Sequence, residues 1–167
     1  MTGCGGDDMA KKKKAAEAVA TGANPRVHFE TTQGPFTVEL FSDVPTTTQN
    51  FVDLVSRKFY DGLIFHRYVP GFVIQGGDPT GTGGGGSGKN IPLEITSHKH
   101  VLGALGMARS NDPNSASCQF YVCLADLPSL DGSYAVFGQV VDGMENVTKL
   151  RQGDKMTQVT MVKAVAP

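Results

Sequence analysis

The sequence predicts a mainly β protein in which eight antiparallel strands and two α-helices form one domain. The chain has 167 residues, which is enough for a single domain to bury most of its apolar surface. It contains 21 Gly and 9 Pro residues, and clusters of turn-forming residues separate short apolar segments. Frequent turns between short strands are typical of β-sandwiches and β-barrels, and these observations leave both arrangements open.

The strand predictions begin with a hairpin. Residues 27–31 and 35–40 alternate between apolar and polar side chains, and the Thr32–Pro35 segment between them has the composition of a turn. We therefore expect the folded domain to begin near Arg26. Six further strands are expected between Gly, Pro, Asn and Asp clusters, at Phe65–Tyr68, Phe72–Gln75, Val101–Ala108, Gln119–Leu124, Ala135–Val140 and Gln158–Val165.

Two segments have helical rather than alternating periodicity. The first follows Pro45, a residue that is well tolerated at the start of a helix, and its apolar residues share one face: Phe51, Leu54 and Val55. The second begins near Asp142, where Glu145 three residues later matches a capping box. Its apolar side also recurs at helical spacing: Met144, Val147 and Leu150. We expect both helices to cover a β core.

The N-terminal residues have a different composition. Residues 1–25 are rich in Gly, Asp, Lys and Ala, including the run Lys11–Lys14, and carry too little apolar surface to pack. We predict a flexible tail there and a folded domain over residues 26–167. No apolar run approaches the roughly 20 residues needed to cross a bilayer, so we expect a cytoplasmic protein. The alternative is an extracytoplasmic lipoprotein anchored through Cys4, if the N-terminus is truncated.

Charge and cysteine content argue against several classes of protein. The formal net charge is -1, so the chain has no global positive field that would attract nucleic acid. The three cysteines, Cys4, Cys118 and Cys123, are an odd number without paired spacing. This pattern favours neither a disulfide framework nor a zinc site.

Two motifs suggest ligands other than peptides. The Gly83–Lys89 segment nearly matches a phosphate-binding loop, but Asn90 replaces the hydroxyl residue and Pro92 interrupts the helix that should follow. Nucleotide binding is therefore a remote alternative. His98 and His100 would share a face of a strand and could hold a metal, but exposed or hydrogen-bonded histidines are the commoner explanation.

The most informative segment is FHRYVPGFVIQGGD at residues 65–78, which combines one arginine and one glutamine with aromatic and aliphatic side chains. It resembles the signature of the cyclophilin family of peptidyl-prolyl isomerases. Further segments are similar to the remaining site motifs of that family in the same order: residues 103–109, 117–121 and 130–138. The resemblance extends from about Arg26 to the C-terminus. It implies a closed eight-stranded antiparallel β-barrel capped by two α-helices, and it favours the barrel over the sandwich.

The activity implied by this resemblance is rotation about X–Pro peptide bonds, which assists protein folding. In the rotating amide the proline nitrogen regains a lone pair, so a fixed donor aimed at it favours the transition state. Arg67 is the expected catalytic donor because its guanidinium stays charged and planar. Gln75 is the expected second catalytic residue, which steadies Arg67 and binds the substrate carbonyl.

The resemblance also implies a substrate-binding surface. The expected proline pocket consists of apolar groups: Phe72, Val73, Met107, Tyr121 and Leu130. Gln119 and the backbone near Ala108 and Arg109 would hold the substrate backbone, and Tyr134 would border the site. Gln119 and Tyr121 are two residues apart on a strand and should share one face.

Four residues differ from the best-known eukaryotic pattern and resemble a bacterial member: Val73 replaces Met, Arg109 replaces Asn, Ser129 replaces Trp, and Tyr134 replaces His. Without the tryptophan, we expect only weak binding of cyclosporin-type inhibitors. The expected partners are proline-containing peptides and unfolded proteins, with no cofactor, metal or nucleic acid, and the expected state is a monomer. The alternative function is a non-catalytic module that binds proline peptides or acts as a chaperone.

Overall fold

The computed structural model describes residues 24–162. Nearly all of the predicted tail, including Cys4, lies outside the described residues, so the tail, the lipoprotein alternative and the cellular location stay predictions. The strands are β1 (Arg26–Thr31), β2 (Phe36–Leu40), β3 (Arg67–Val69), β4 (Val73–Gly76), β5 (Ala104–Met107), β6 (Phe120–Cys123), β7 (Val136–Asp142) and β8 (Met156–Met161). The helices are α1 (Pro45–Ser56), α2 (Met144–Val147) and a 3₁₀ helix (Pro128–Leu130).

The eight strands form one antiparallel sheet in the order β3-β4-β6-β5-β7-β2-β1-β8. This confirms the predicted mainly β, eight-stranded antiparallel fold, although the barrel is not fully closed. The edge strands β3 and β8 do not pair with each other. The seam is instead spanned by the segment before β3, where Ile64 and Lys155 form an isolated bridge. The sheet is therefore a strongly curled barrel with a short, irregular seam.

The interior of the barrel is filled largely by aromatic side chains. Phe29 and Phe36 from the first hairpin stack with ring centroids 4.5 Å apart. Phe51 of α1 packs edge-on against Phe120 of β6 at 5.4 Å. These four side chains are at most 1% exposed, so α1 is fixed to the barrel by the apolar face that its periodicity predicted.

A second apolar cluster lies on the opposite face of the strands, because side chains alternate along each strand. It consists of Val73, Ala104, Tyr121, Cys123, Leu127 and Val136, and the half-buried Phe72, Ala108, Leu130 and Tyr134 pack against it. We call these ten residues the outer apolar cluster. Neighbours in the sequence such as Ile74 and Val122 belong to the barrel core. The sheet therefore presents an apolar surface beside β4 and β6.

The N-terminus of α2 differs from the capping box that the sequence predicted. The residue before α2 is Gly143 in a left-handed conformation, with no side-chain cap, so the predicted Asp142/Glu145 capping box is wrong. The predicted packing of Val147 and Leu150 is confirmed, since both are fully buried. Within residues 24–162, no helix is long and apolar enough to span a membrane.

Candidate active site

Arg67 is presented by the tight hairpin between β3 and β4. The turn runs from Val69 to Phe72, whose amide donates to the Val69 carbonyl at 3.0 Å. Gly71 has a φ of 67°, as the second central residue of a type II turn requires, and Pro70 is favoured at the first central position. The turn sets the register in which Arg67 lies directly opposite Gln75.

A chain of side-chain hydrogen bonds continues from Arg67 across the sheet. The Arg67 Nη1 donates to Gln75 Oε1 at 3.2 Å, and the Gln75 Nε2 donates to Gln119 Oε1 at 3.1 Å. Arg67 is exposed, whereas the two glutamines are half-buried. Each amide oxygen accepts from the preceding side chain and each amide nitrogen donates onward, so all three groups have a defined direction.

The glycine-rich loop anchors the far end of this chain. The Gln119 Nε2 donates to the carbonyls of Gly83 and Gly85 at 3.0 and 2.8 Å. The buried carboxylate of Asp78 in turn accepts the backbone amides of Thr80, Thr82 and Gly83. Burial alone would raise the pKa of Asp78, but hydrogen bonds from Thr80, Gly85 and Gly83 outweigh it and lower the pKa to about 2.

This geometry differs from that of a phosphate-binding loop. The segment after Lys89 is extended at Ile91, which forms an isolated bridge with Ala116, and it is not a helix. The loop borders an open polar cavity of about 570 Å³, and none of the predicted proline-pocket residues lines it.

Four of the five residues predicted for the proline pocket meet in the outer apolar cluster: Phe72, Val73, Tyr121 and Leu130. Val73 and Tyr121 are 2% and 5% exposed, so they form the floor, while Phe72 and Leu130 are half-buried at the rim. Met107 is a correction to the prediction, because its side chain packs in the barrel core. It follows Gly106 on β5, and the alternation of the strand turns it to the other face.

The predicted residues Arg109 and Tyr134 form one edge of the surface. The Arg109 guanidinium lies 4.8 Å from the centre of the Tyr134 ring. It also donates to the Ser133 and Ser110 carbonyls. The Ala108 amide donates to the Gln119 carbonyl at 2.9 Å, so it is engaged within the protein. Arg109 thereby joins two loops at the edge of the outer apolar cluster.

The contacts of His100 and Asp131 were not predictable from the sequence. The His100 Nδ1 lies 2.8 Å from Asp131 Oδ1, and its Nε2 lies 2.7 Å from the Tyr121 hydroxyl. His98 instead contacts Asp43 at 2.8 Å, so the two histidines do not converge. No group of three His, Cys, Asp or Glu residues within the described part of the chain could hold a metal. The sequence spacing carried no signal for the His100–Tyr121 contact, which arises from tertiary structure.

Comparisons with known proteins agree with this geometry. Residues 26–166 match the family model described as cyclophilin type peptidyl-prolyl cis-trans isomerase/CLD. A peptidyl-prolyl cis-trans isomerase of Synechococcus elongatus is 44% identical over 140 residues, which cover 82% of this chain and 96% of the relative. Peptidyl-prolyl cis-trans isomerase CYP18-2 of Arabidopsis thaliana is 46% identical over 135 residues, covering 77% of this chain and 82% of the relative.

Solved structures show the same fold. The crystal structure of a cyclophilin-type peptidyl-prolyl cis-trans isomerase of Cryptosporidium parvum has a TM-score of 0.80 and 32% identity, covering 85% of this chain and 99% of that one. A crystal structure of the same protein in the presence of the dipeptide Ala-Pro has a TM-score of 0.78 and 32% identity, with 83% and 99% coverage. The family model, the relatives and the fold therefore identify this chain as a member of the cyclophilin-type peptidyl-prolyl cis-trans isomerases.

Proposed function

We propose that this isomerase rotates X–Pro bonds on the surface between the β3–β4 hairpin and the outer apolar cluster, with Arg67 as the catalytic donor. The observation that carries the proposal is the hydrogen-bond chain from Arg67 through Gln75 to Gln119, which runs beside Tyr121. A fixed cation next to an apolar floor suits a substrate that has a hydrophobic ring and a polar backbone. Proline-containing segments of peptides and unfolded proteins have both.

The chemistry requires no bond to be broken. Amide resonance imposes a barrier of roughly 18 to 20 kcal/mol on rotation, and the twisted amide has a basic nitrogen. Arg67 can donate to that nitrogen, and the interaction is stronger in the twisted state than in either planar isomer. A millionfold acceleration corresponds to about 8 kcal/mol of differential stabilisation.

The neighbouring residues restrain the substrate during rotation. In this proposal Phe72, Val73, Tyr121 and Leu130 hold the proline ring while the preceding carbonyl moves. Gln75 steadies Arg67 and binds that carbonyl. Gln119, together with the carbonyl of Ala108 and the backbone of Arg109, aligns the substrate as an extended strand. Met107 supports this surface from the barrel core and does not touch the substrate.

The test measures the cis-to-trans relaxation rate of a short Ala-Pro peptide with the parent chain, Arg67→Ala and Arg67→Lys. Arg67→Ala should lower kcat/KM about 100-fold or more, because the charge-assisted donor is lost. Arg67→Lys should lose roughly tenfold, because a flexible point charge replaces a planar donor held by Gln75. Circular dichroism establishes that each variant is folded.

A matched control lies on the opposite face of the same hairpin, because Tyr68 follows Arg67 on β3 and packs against the barrel core. The Arg151 guanidinium lies 4.6 Å from the centre of the Tyr68 ring and donates to the Thr148 and Leu150 carbonyls. Arg151→Ala also removes a guanidinium beside the hairpin and should retain the rate of the parent. If the folded parent binds the peptide without accelerating its isomerisation, the proposal fails and a non-catalytic peptide-binding module is favoured.

We also propose that cyclosporin-type inhibitors bind this chain weakly and that it is a monomer. Ser129 lies exposed in the 3₁₀ helix, at the position where the best-known family members have tryptophan. Ser129→Trp should therefore lower the inhibitor concentration for half-inhibition about tenfold, because a large ring and an indole donor are restored. Unchanged inhibition would contradict this explanation. Analytical ultracentrifugation of the full chain tests the proposed monomer and should give the mass of a single chain.

A further inference from the structure

The outer apolar cluster is backed by a buried polar chain that the proposed reaction does not use. The imidazole of His100 has no exposed surface and lies between two partners, Asp131 at 2.8 Å and the Tyr121 hydroxyl at 2.7 Å. The Asp131 carboxylate also accepts the backbone amide of His100 at 2.7 Å. All polar atoms of this imidazole are therefore satisfied inside the protein, as a buried polar group requires.

The chemistry of the two partners gives the direction of these hydrogen bonds for a neutral imidazole. Hydrogen bonds from the His100 backbone amide and side chain lower the pKa of Asp131, which keeps this carboxylate ionised and an acceptor. In its neutral form, His100 therefore donates from Nδ1 to Asp131, and its Nε2 accepts. Burial raises the pKa of Tyr121, so its hydroxyl keeps its proton and donates it to Nε2.

The Tyr121 ring is also confined by its neighbours. It is nearly parallel to the His100 imidazole, with ring centroids 5.9 Å apart and planes 11° apart. It also packs edge-on against Tyr134, with ring centroids 6.2 Å apart. Gly106 lies against the hydroxyl end of the ring, at a distance that leaves no room for a Cβ atom. Packing and one hydrogen bond thus select a single orientation.

We propose that His100 and Asp131 are positioning residues that lock the Tyr121 ring as the floor of the proline pocket. This rests on the proposed function, in which Tyr121 holds the substrate ring. His100 acts at the hydroxyl, remote from the substrate, and Asp131 fixes the tautomer of His100. A locked floor favours turnover because the pocket does not have to be ordered each time a proline ring binds.

The experiment compares Tyr121→Phe, His100→Asn and the double variant in the peptide isomerisation assay. Tyr121→Phe removes only the hydroxyl, and His100→Asn keeps a nitrogen near Asp131 but is too short to reach Tyr121. We expect each single variant to lower kcat/KM about fivefold. The double variant should lose no more activity than the less active of the two single variants, because both changes break the same contact.

Two further variants separate positioning from a purely structural role. His100→Gln places its amide near the former Nε2 and should recover at least half of the parent kcat/KM. His98→Asn is the matched control, since His98 forms a similar pair with Asp43 and does not contact Tyr121. It should retain the parent rate. The ¹³Cζ resonance of Tyr121 should shift in His100→Asn and return toward its parent position in His100→Gln.

Several results overturn the proposal: a parent-like rate for Tyr121→Phe, losses that multiply in the double variant, or a His100→Gln variant no more active than His100→Asn. If His100→Asn does not fold, Tyr121→Phe decides alone, because it removes a single oxygen atom. Arg67→Ala is measured in parallel. If Arg67→Ala abolishes the activity while Tyr121→Phe does not reduce it, only the positioning role fails. If Arg67→Ala keeps the activity, the proposed function of this surface is wrong, and the positioning role that rests on it is wrong as well.

Discussion

At the scale of single residues, the orientation of each proposed site group is set by a neighbour. Gln75 orients Arg67, Gln119 orients Gln75, and the glycine-loop carbonyls orient Gln119. On the apolar side, His100 contacts the Tyr121 hydroxyl in the same manner. We therefore expect that a change that leaves the Arg67 guanidinium intact can still reduce activity, because it alters the direction of a donor or of a ring.

Gly106 gives the first prediction at this scale. A Cβ atom at Gly106 would overlap the Tyr121 Cζ and hydroxyl, so Gly106→Ala must displace the ring from the pocket floor. We expect kcat/KM to fall at least tenfold and the free energy of unfolding to fall by about 1 to 3 kcal/mol. Peptide isomerisation and urea unfolding measure the two effects.

The control for Gly106→Ala is a glycine that has room for a side chain. A Cβ at Gly84 would meet only the Thr82 Oγ1, at 3.7 Å, so Gly84→Ala should leave the free energy of unfolding nearly unchanged. A Gly106→Ala variant with parent-like activity would show that the position of the Tyr121 ring does not matter for turnover.

Asp78 gives a prediction for the pH dependence of stability. Its pKa is about 2 in the folded protein against an ordinary value of 3.8, so the unfolded chain binds the proton more readily. The stabilisation from this carboxylate is therefore complete well above pH 4 and is lost as the pH falls through about 2. Asp78→Asn should be less stable than the parent at pH 7, and the difference should shrink below about pH 4. Urea unfolding at several pH values measures it; a constant difference would contradict the explanation.

Most of the residues predicted for the site lie close together in the structure, but their surroundings were only partly predictable from the sequence. Strand pairing, which short alternating segments indicate well, brings Arg67, Gln75 and Tyr121 together. Gln119 directly precedes β6 and is joined to Gln75 by a side-chain hydrogen bond. Met107 was expected in the proline pocket but packs in the barrel core, because the family motif gives residue identity without the face of the strand. The contact between His100 and Tyr121 depends on a fold between two distant segments, and no local pattern encodes it.

At the scale of secondary structure, α1 also depends on a contact that the local sequence does not indicate. The sequence predicted its start near Pro45 and its apolar face, yet Val44 at its N-cap has no side-chain cap. A distant carboxylate supplies the cap instead: Glu94 accepts the Thr46 amide at 3.2 Å and the Thr47 hydroxyl at 2.7 Å. The hydrogen-bond acceptor that usually comes from the N-cap residue is thus provided by a loop 47 residues away from Thr47.

Glu94 therefore gives a prediction for α1. Glu94→Ala should lower the free energy of unfolding by about 1 kcal/mol, because α1 loses both a cap and a negative charge at its N-terminus. Glu94→Gln keeps an acceptor oxygen and should lose roughly half as much. Thermal unfolding followed by circular dichroism measures both variants. Equal stability of Glu94→Ala and the parent would mean that solvent caps this helix equally well.

At the scale of the whole molecule, the barrel depends on a seam that is not a pair of regular strands. Residues 62–65 and 153–156 exchange four backbone hydrogen bonds of 2.7 to 2.9 Å, including those donated by Phe65 and Met156. Asp154 reinforces the seam by accepting the Thr32 hydroxyl and the Arg151 amide, both at 2.8 Å. The sequence predicted closure but could not locate this seam, because irregular pairing has no alternating pattern.

The seam should open more easily than the sheet. We expect native-state hydrogen exchange to give Phe65 and Met156 opening free energies about 1 to 3 kcal/mol below that of the Val38 amide in the middle of β2. Asp154→Ala should lower the values at the seam by about 1 kcal/mol further and leave Val38 much less affected. Asp126→Ala is the control, since Asp126 accepts the Leu102 amide at 2.8 Å away from the seam. It should accelerate exchange at Leu102 but not at Phe65. If Phe65 and Met156 exchange only with the global unfolding free energy, the seam belongs to the cooperative core and the barrel is closed in the energetic sense.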